Sequence, residues 1–265
     1  MIYNPEAECM TAEAREKLQL TRLKSLVEYL YSRVAFYREK MDKMGIKPGD
    51  IRALSDIEKL PFTTKDDLRL AYPDGFRACE SNQIVEVHMS SGTTGMPVVE
   101  EYTRNDMNLW REAVARALTG AGCTKDDVFQ NTNGYGLFTG GLGYHHGAQH
   151  IGAKVIPMSS GNTEKQLAVM RDFGTTMLMS TPSYALFIAE EAEAAGMDLK
   201  KLSISKGVFG AEPWSENMRK EIESRYGIKA YDIYGLTEII GPGVSFECEA
   251  QNGMHINEDL FYPRS

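Results

Sequence analysis

Thr176-Met177-Leu178-Met179-Ser180 is a short apolar run, and Pro182 stands two residues beyond it. A run of this length between breakers reads as a strand. Proline suits the first turn of a helix, where its missing N–H has no partner to lose. A helix is therefore expected from Pro182 to Ala195. The alternation continues downstream. Lys206–Phe209 reads as a strand, Pro213–Tyr226 as a helix and Lys229–Ile233 as a strand. Upstream, Thr163 caps a helix to Phe173, and Lys154–Met158 and Val128–Thr132 read as strands. Strands alternating with helices of these lengths imply an α/β fold, a mostly parallel sheet with helices on both faces.

In such sheets ligands sit beyond the carboxyl ends of the strands. Four loops are expected there. The first is Ser90-Ser91-Gly92-Thr93-Thr94-Gly95-Met96-Pro97, set between strand-like runs at Ile84–Met89 and Val98–Tyr102. Its glycines let the backbone approach a ligand closely, and its N–H groups and hydroxyls are what a phosphate chain requires. The usual P-loop spacing is absent, and a Ser/Thr/Gly turn by itself is an ordinary loop. The second is Asn133–Gly143, with five glycines interleaved with Tyr135 and Phe138. The third is Gly210-Ala211-Glu212-Pro213, and the fourth is Tyr234-Gly235-Leu236-Thr237-Glu238. Agreement among four loops carries more weight than any one of them.

Composition narrows the partners. The 265 residues carry a net charge of −8, which argues against nucleic acid. No stretch is long enough to span a bilayer, and the first residues lack a signal-peptide pattern. The four cysteines, Cys9, Cys79, Cys123 and Cys248, are scattered without a CxxC pair, as expected of a reducing cytoplasm. Thr11–Met44 reads as one amphipathic helix ended by Gly45 and Pro48. Ser55-Asp56-Ile57-Glu58 has a capping-box spelling, and Thr64-Lys65-Asp66-Asp67 opens a further helix. Thr103-Arg104-Asn105-Asp106 caps a helix to about Leu118. His145, His146 and His150 share one expected helix without an HExxH pattern and read as packing or pocket-rim residues. Cys248 and His255 are half of a tetrahedral zinc set. Ile239–Glu258 is glycine-rich and polar, and reads as the start of an interrupted second region.

In their order, the four loops resemble those of the phenylacetate–coenzyme A ligases of the adenylate-forming superfamily. The resemblance runs from the first helix to residue 262. It implies an N-terminal helical section over residues 1–80, an AMP-binding core over 81–238 and the start of a second subdomain over 239–265. The family's chain normally continues past Pro263 into a small C-terminal domain, so this chain resembles an N-terminal portion with weak or no activity. Arg264-Ser265 reads as an unrelated tail, and apolar surface left open there leaves room for a homo-oligomer.

The resemblance also implies roles. The reaction would join an aryl acid to coenzyme A at the expense of ATP, through an acyl adenylate. Ser90, Ser91, Gly92, Thr93, Thr94 and Gly95 would wrap the β- and γ-phosphates. Thr237 would bond the α-phosphate, and Glu238 would hold Mg²⁺. Gly210, Ala211, Glu212 and Pro213, with Asp232, Ile233, Tyr234 and Gly235, would frame the adenine and ribose. Tyr135 and Phe138 would meet the aryl ring, with Gly140 and Gly141 making room for it. Some members carry a structural zinc where Cys248 and His255 stand. Met96 stands where many members have lysine. A non-catalytic nucleotide-binding scaffold, or a ligase for another aryl acid, remain the alternatives.

Overall fold

The computed structural model describes residues 1–90 and 96–264. The phosphate-loop assignment for Ser91–Gly95 lies outside them. The chain divides into two compact units, Pro5–Asp106 with Asn257–Ser265, and Met1–Asn4 with Met107–Ile256. The divisions drawn from sequence at 80/81 and 238/239 do not coincide with this one.

The first unit opens with α1 (Pro5–Glu8), α2 (Ala12–Arg33) and α3 (Ala35–Lys43). The single helix expected over Thr11–Met44 is broken at Val34, whose backbone is extended at φ −115° and ψ 110°. The break has a packing cause. Met41 and Val27 share one buried cluster with Ile51. On a straight helix, residues 14 apart would lie about 21 Å from each other. Thr64 caps α4 (Lys65–Leu70) reciprocally with Asp67, as expected. Ser55 is not a cap. The 3₁₀ turn Leu54–Lys59 is held by the Asp56 carboxylate, which accepts from the amides of Arg52 and Ala53 at 2.7 and 2.8 Å.

β1 (Ile84–Met89) and β2 (Val99–Thr103) form an antiparallel pair in a sheet of their own. The first of the four expected loops therefore lies between the strands of this separate pair, and not at a strand end of the parallel sheet. α5 (Arg104–Gly120) follows, capped by the reciprocal Thr103–Asp106 bonds. Residues 257–259 are tied to α2 of the same unit. Gln19 donates to the Glu258 carbonyl at 2.8 Å, Arg22 to that of Asp259, and Arg15 pairs with Glu258 at 3.1 Å.

The second unit is built on a seven-stranded sheet among the described residues. In chain order its elements are β3 (Val128–Asn131), α6 (Thr139–Ile151), β4 (Lys154–Pro157), α7 (Thr163–Asp172), β5 (Met177–Ser180), α8 (Pro182–Ala194), β6 (Lys206–Gly210), α9 (Glu216–Tyr226), β7 (Lys229–Leu236), β8 (Gly241–Phe246) and β9 (His255–Ile256). The spatial order is β4-β3-β5-β6-β7-β8-β9. The first five of these strands run parallel, and β8 and β9 pair antiparallel at the edge. The expected mostly parallel α/β sheet is present.

Leu178, Phe209 and Ala230 on the strands pack with Met170, Ala185, Ile188, Ile222 and Tyr226 of α7, α8 and α9 on one face. On the other, α6 meets α5 through glycine. A Cβ at Gly143 would come within 2.4 Å of the Trp110 ring, and one at Gly147 within 2.4 Å of Val114. Trp110 Nε1 donates to the Pro242 carbonyl at 3.1 Å, joining α5 to β8. Three sequence assignments shift. Asn162, rather than Thr163, caps α7. Ser215 caps α9, which begins at Glu216, three residues after the expected start at Pro213. The glycine-rich segment after Glu238 contains β8, buried along its whole length.

Candidate active site

The sheet has a switch point. From β3 the chain crosses to β4 on one side, and from β5 it proceeds to β6 and β7 on the other. In open α/β sheets the ligand crevice lies at such a reversal, here the carboxyl ends of β3 and β5. Thr132 closes its floor, with its amide and its hydroxyl both donating to the Met179 carbonyl at 2.9 Å. Ser180 ends β5, and its hydroxyl is fully buried with no hydrogen-bond partner among the described residues. Such an orphaned group calls for a reason, and the sequence reading passed over it.

The loop from β3 to α6 is fixed by Asn131, a fully buried side chain that the sequence reading also missed. Its Nδ2 donates to the Tyr135 hydroxyl at 3.0 Å and to the Gly141 carbonyl at 2.7 Å. Its Oδ1 accepts from the amide of Asn133 at 3.1 Å. The Tyr135 hydroxyl also lies 3.2 Å from His145 Nδ1 on α6. Burial pushes the Tyr135 hydroxyl up to about 12, against the pull of the Asn131 bond. Burial, aided by the neighbouring His146, holds the His145 imidazole below its ordinary value. The three histidines thus part company. His145 joins the loop, while His150 lies 3.7 Å from Glu112 and beside the Tyr3 ring.

At Gly140 and Gly141 the space a side chain would take is filled by their own loop. A Cβ on Gly140 would sit 2.5 Å from the Phe138 ring, and one on Gly141 would sit 2.1 Å from the Gly134 carbonyl oxygen. The glycines let the loop fold onto itself. Phe138 stands at the N-cap of α6 and offers no side-chain acceptor to its first turn. Unfilled amides at a helix start favour a negative group there.

Thr237 opens a 3₁₀ turn at the end of β7, and its hydroxyl lies 3.4 Å from that of Thr139 in the first turn of α6. Thr237 is buried at 8% exposure. Glu238 follows it, half-buried. Two of the expected loops, those of 133–143 and 234–238, are thereby brought together. Tyr234, Gly235 and Leu236 are strand rather than loop, because β7 continues against β8 to Leu236. Tyr234 and Leu236 expose their side chains, and a Cβ on Gly235 would strike the Gly241 carbonyl at 2.0 Å.

The Gly210–Pro213 turn leaves the carboxyl end of β6 beside β7. Gly210 pairs with Ile233, and a Cβ there would meet the Ile233 carbonyl at 2.5 Å. Ile233 is core, at 3% exposure. Ala211 takes a left-handed φ of 70°. The Glu212 carboxylate accepts from the Ser183 amide at 2.6 Å, so it caps α8. Pro213 is exposed. Burial, with the nearby Glu247 carboxylate adding to it, raises the Asp232 carboxyl above its ordinary value.

Metal ligation divides in two. Among the described residues, no group of three or more His, Cys, Asp and Glu side chains is placed to hold a metal. The His255 ring packs 5.8 Å from Phe246, and Cys248 and His255 supply two of the four ligands that a structural zinc takes. Glu238, a single carboxylate beside a hydroxyl, fits an ion that takes most of its ligands from phosphate and water. No described helix is long and apolar enough to cross a membrane.

The sequence profile of the AMP-binding enzymes matches residues 6–258. The chain belongs to the AMP-binding enzyme family. Within that family it is 48% identical over 264 residues to the phenylacetate-coenzyme A ligase of Thermus thermophilus, covering 99% of this chain and 59% of the relative. It is 51% identical over 258 residues to that of Escherichia coli, covering 97% and 59%. Among AMP-binding enzymes of known structure, an open conformation of 2-hydroxyisobutyryl-CoA ligase in complex with 2-HIB-AMP and CoA superposes with a TM-score of 0.90 at 27% identity, covering 97% of this chain and 62% of that one. The chain thus spans about three-fifths of the length of the relatives it matches.

Proposed function

We propose that this chain is the N-terminal portion of an ATP-dependent aryl-acid–CoA ligase, with phenylacetate as the acid. A carboxylate is a poor acyl donor, because its charge repels nucleophiles and oxide is a poor leaving group. The reaction removes both obstacles. A carboxylate oxygen attacks the α-phosphate of ATP and pyrophosphate departs, giving the acyl adenylate. The thiol of coenzyme A then attacks the acyl carbon, and AMP departs with the electron pair.

Most of the first step is positioning and charge management. In this reading Thr237 donates its hydroxyl to the α-phosphate. The amides of the first turn of α6 face the negative charge nearby. Tyr135 and Phe138 border the acid, and Gly210–Pro213 with Asp232–Gly235 border the nucleoside. Ser90–Gly95 takes the terminal phosphates. Mg²⁺, held by Glu238 and phosphate oxygens, neutralises charge on the triphosphate when bound. The four cysteines, all free, suit a reducing cytoplasm.

The observation that carries the reading is the 3.4 Å approach of Thr139 to Thr237, which unites the acid-side loop with the phosphate-side turn. The phenylacetate-coenzyme A ligases at 48–51% identity favour phenylacetate over other acids. Isothermal titration of the 265-residue chain tests it, using AMP and a non-hydrolysable phenylacetyl sulfamoyl adenosine. The acyl probe is expected to bind at least about tenfold more tightly than AMP, a difference of about 1.4 kcal/mol. Equal affinities would remove the acid site, and a tighter aliphatic acyl probe would replace the aryl acid.

A further inference from the structure

We infer that Asn131 is a positioning residue for the acid, acting through the Tyr135 hydroxyl. The inference rests on the ligase reading. It starts from the donor and acceptor count. An asparagine side chain brings two N–H donors and one carbonyl oxygen. In Asn131 all are engaged: the donors on Tyr135 and Gly141, the oxygen on the Asn133 amide at 3.1 Å and Asn133 Nδ2 at 3.3 Å. One fully buried side chain therefore grips both ends of the loop, Asn133 where it leaves β3 and Gly141 where α6 begins.

The tyrosine is held as firmly. Its hydroxyl oxygen accepts from Asn131 and lies within hydrogen-bond distance of His145 Nδ1, 3.2 Å away. Burial, with His146 beside it, holds that imidazole below its ordinary value. A ligand touching Tyr135 consequently meets its ring, since the hydroxyl is engaged with Asn131 and His145. The consequence is selectivity for an unsubstituted aryl group. A ring hydroxyl on the acid would lose water beside a tyrosine hydroxyl that already has two partners.

This role differs from that of an ordinary buried asparagine. Loss of a structural hydrogen bond lowers stability without choosing between ligands. Loss of a positioning bond weakens the acyl part of a ligand and spares the nucleotide, which lies over β6 and β7 in the ligase reading.

Two variants of the 265-residue chain, Asn131→Ala and Tyr135→Phe, test the inference by titration with AMP, phenylacetyl sulfamoyl adenosine and its 4-hydroxyphenylacetyl counterpart. Asn131→Ala is expected to lose about tenfold or more for the phenylacetyl probe and less than about twofold for AMP. Tyr135→Phe keeps the Gly141 bond and is expected to lose about threefold for the phenylacetyl probe, again sparing AMP. The wild-type chain is expected to bind the unsubstituted probe more tightly than the hydroxylated one. Equal losses for both ligands, or no loss for either, overturn the inference. If Asn131→Ala does not fold, Tyr135→Phe decides by the same comparison. If the wild-type chain binds no probe, the ligase reading itself fails.

Discussion

Thr139 and Thr237 stand 98 residues apart in sequence, and their hydroxyl oxygens lie 3.4 Å apart. That spacing is at the long edge of hydrogen bonding, so neither hydroxyl is locked to the other. In the ligase reading, a phosphate oxygen would compete for the Thr237 hydroxyl without first breaking a strong bond. Thr237→Ala is therefore expected to weaken phenylacetyl sulfamoyl adenosine by about tenfold, with the melting temperature moved by no more than about 4 °C. Thr237→Ser is expected to stay near wild type. Titration paired with thermal melting checks both.

The glycines of the loop make a second prediction. Gly141→Ala drives a methyl into the Gly134 carbonyl, 2.1 Å away, while a Cβ at Gly136 meets nothing within 4 Å. The first substitution is expected to cost about 1–3 kcal/mol of stability, and Gly136→Ala less than about 0.5 kcal/mol. Urea unfolding of the pair measures the difference. Equal effects would show that the backbone does not close on itself here.

The ion pair of Arg219 and Glu247 ties α9 to the residue after β8. It is bidentate, at 2.8 and 3.0 Å, and both residues are buried. Arg219 also lies 4.6 Å over the Trp214 ring. Removing either partner leaves a buried charge unpaired, and Arg219→Ala or Glu247→Ala is expected to cost about 3–5 kcal/mol. Replacing both, as Arg219→Met with Glu247→Leu, is expected to cost less than either single change. Chemical denaturation of the three variants decides.

Asp127, at the opposite end of β3 from the candidate site, makes the pH prediction. Burial pushes its carboxyl upward. The Thr176 hydroxyl at 2.7 Å, the Lys206 ammonium at 3.0 Å and the Thr124 amide outweigh it, and the group sits below its ordinary 3.8. Its contribution to stability is present above pH 3.8 and is lost as the pH falls through the lowered native value. Asp127→Asn is expected to lower stability at pH 7 and to flatten its decline below pH 3.8. Unfolding free energies at pH 7, 4 and about 3 test this. An unchanged acid slope would contradict it.

Much of the second unit could be read from its sequence because each parallel strand is a short apolar run bounded by a breaker, as at Met177–Ser180 before Pro182. Three things could not. The break at Val34 depends on Met41 reaching Val27, a contact no helical period reports. β8 is spelled Gly-Pro-Gly-Val-Ser-Phe, which looks like a loop until β7 supplies its ladder. Asn131 looks like one more polar residue at a strand end, and only its partners reveal the loop it holds. Conversely, Gly140 and Gly141 were conspicuous in sequence for their lack of side chains, and the space beside them is filled by their own loop.

A crystal structure of this chain with phenylacetyl sulfamoyl adenosine tests the central claim most directly. The account places the sulfamoyl oxygens about 3 Å from Thr237 Oγ1, at ordinary hydrogen-bond distance, with the phenyl ring against the Tyr135 ring. A probe bound away from the carboxyl ends of β3 and β7, or one that reaches Thr237 with its acyl group turned away from Tyr135, would contradict it.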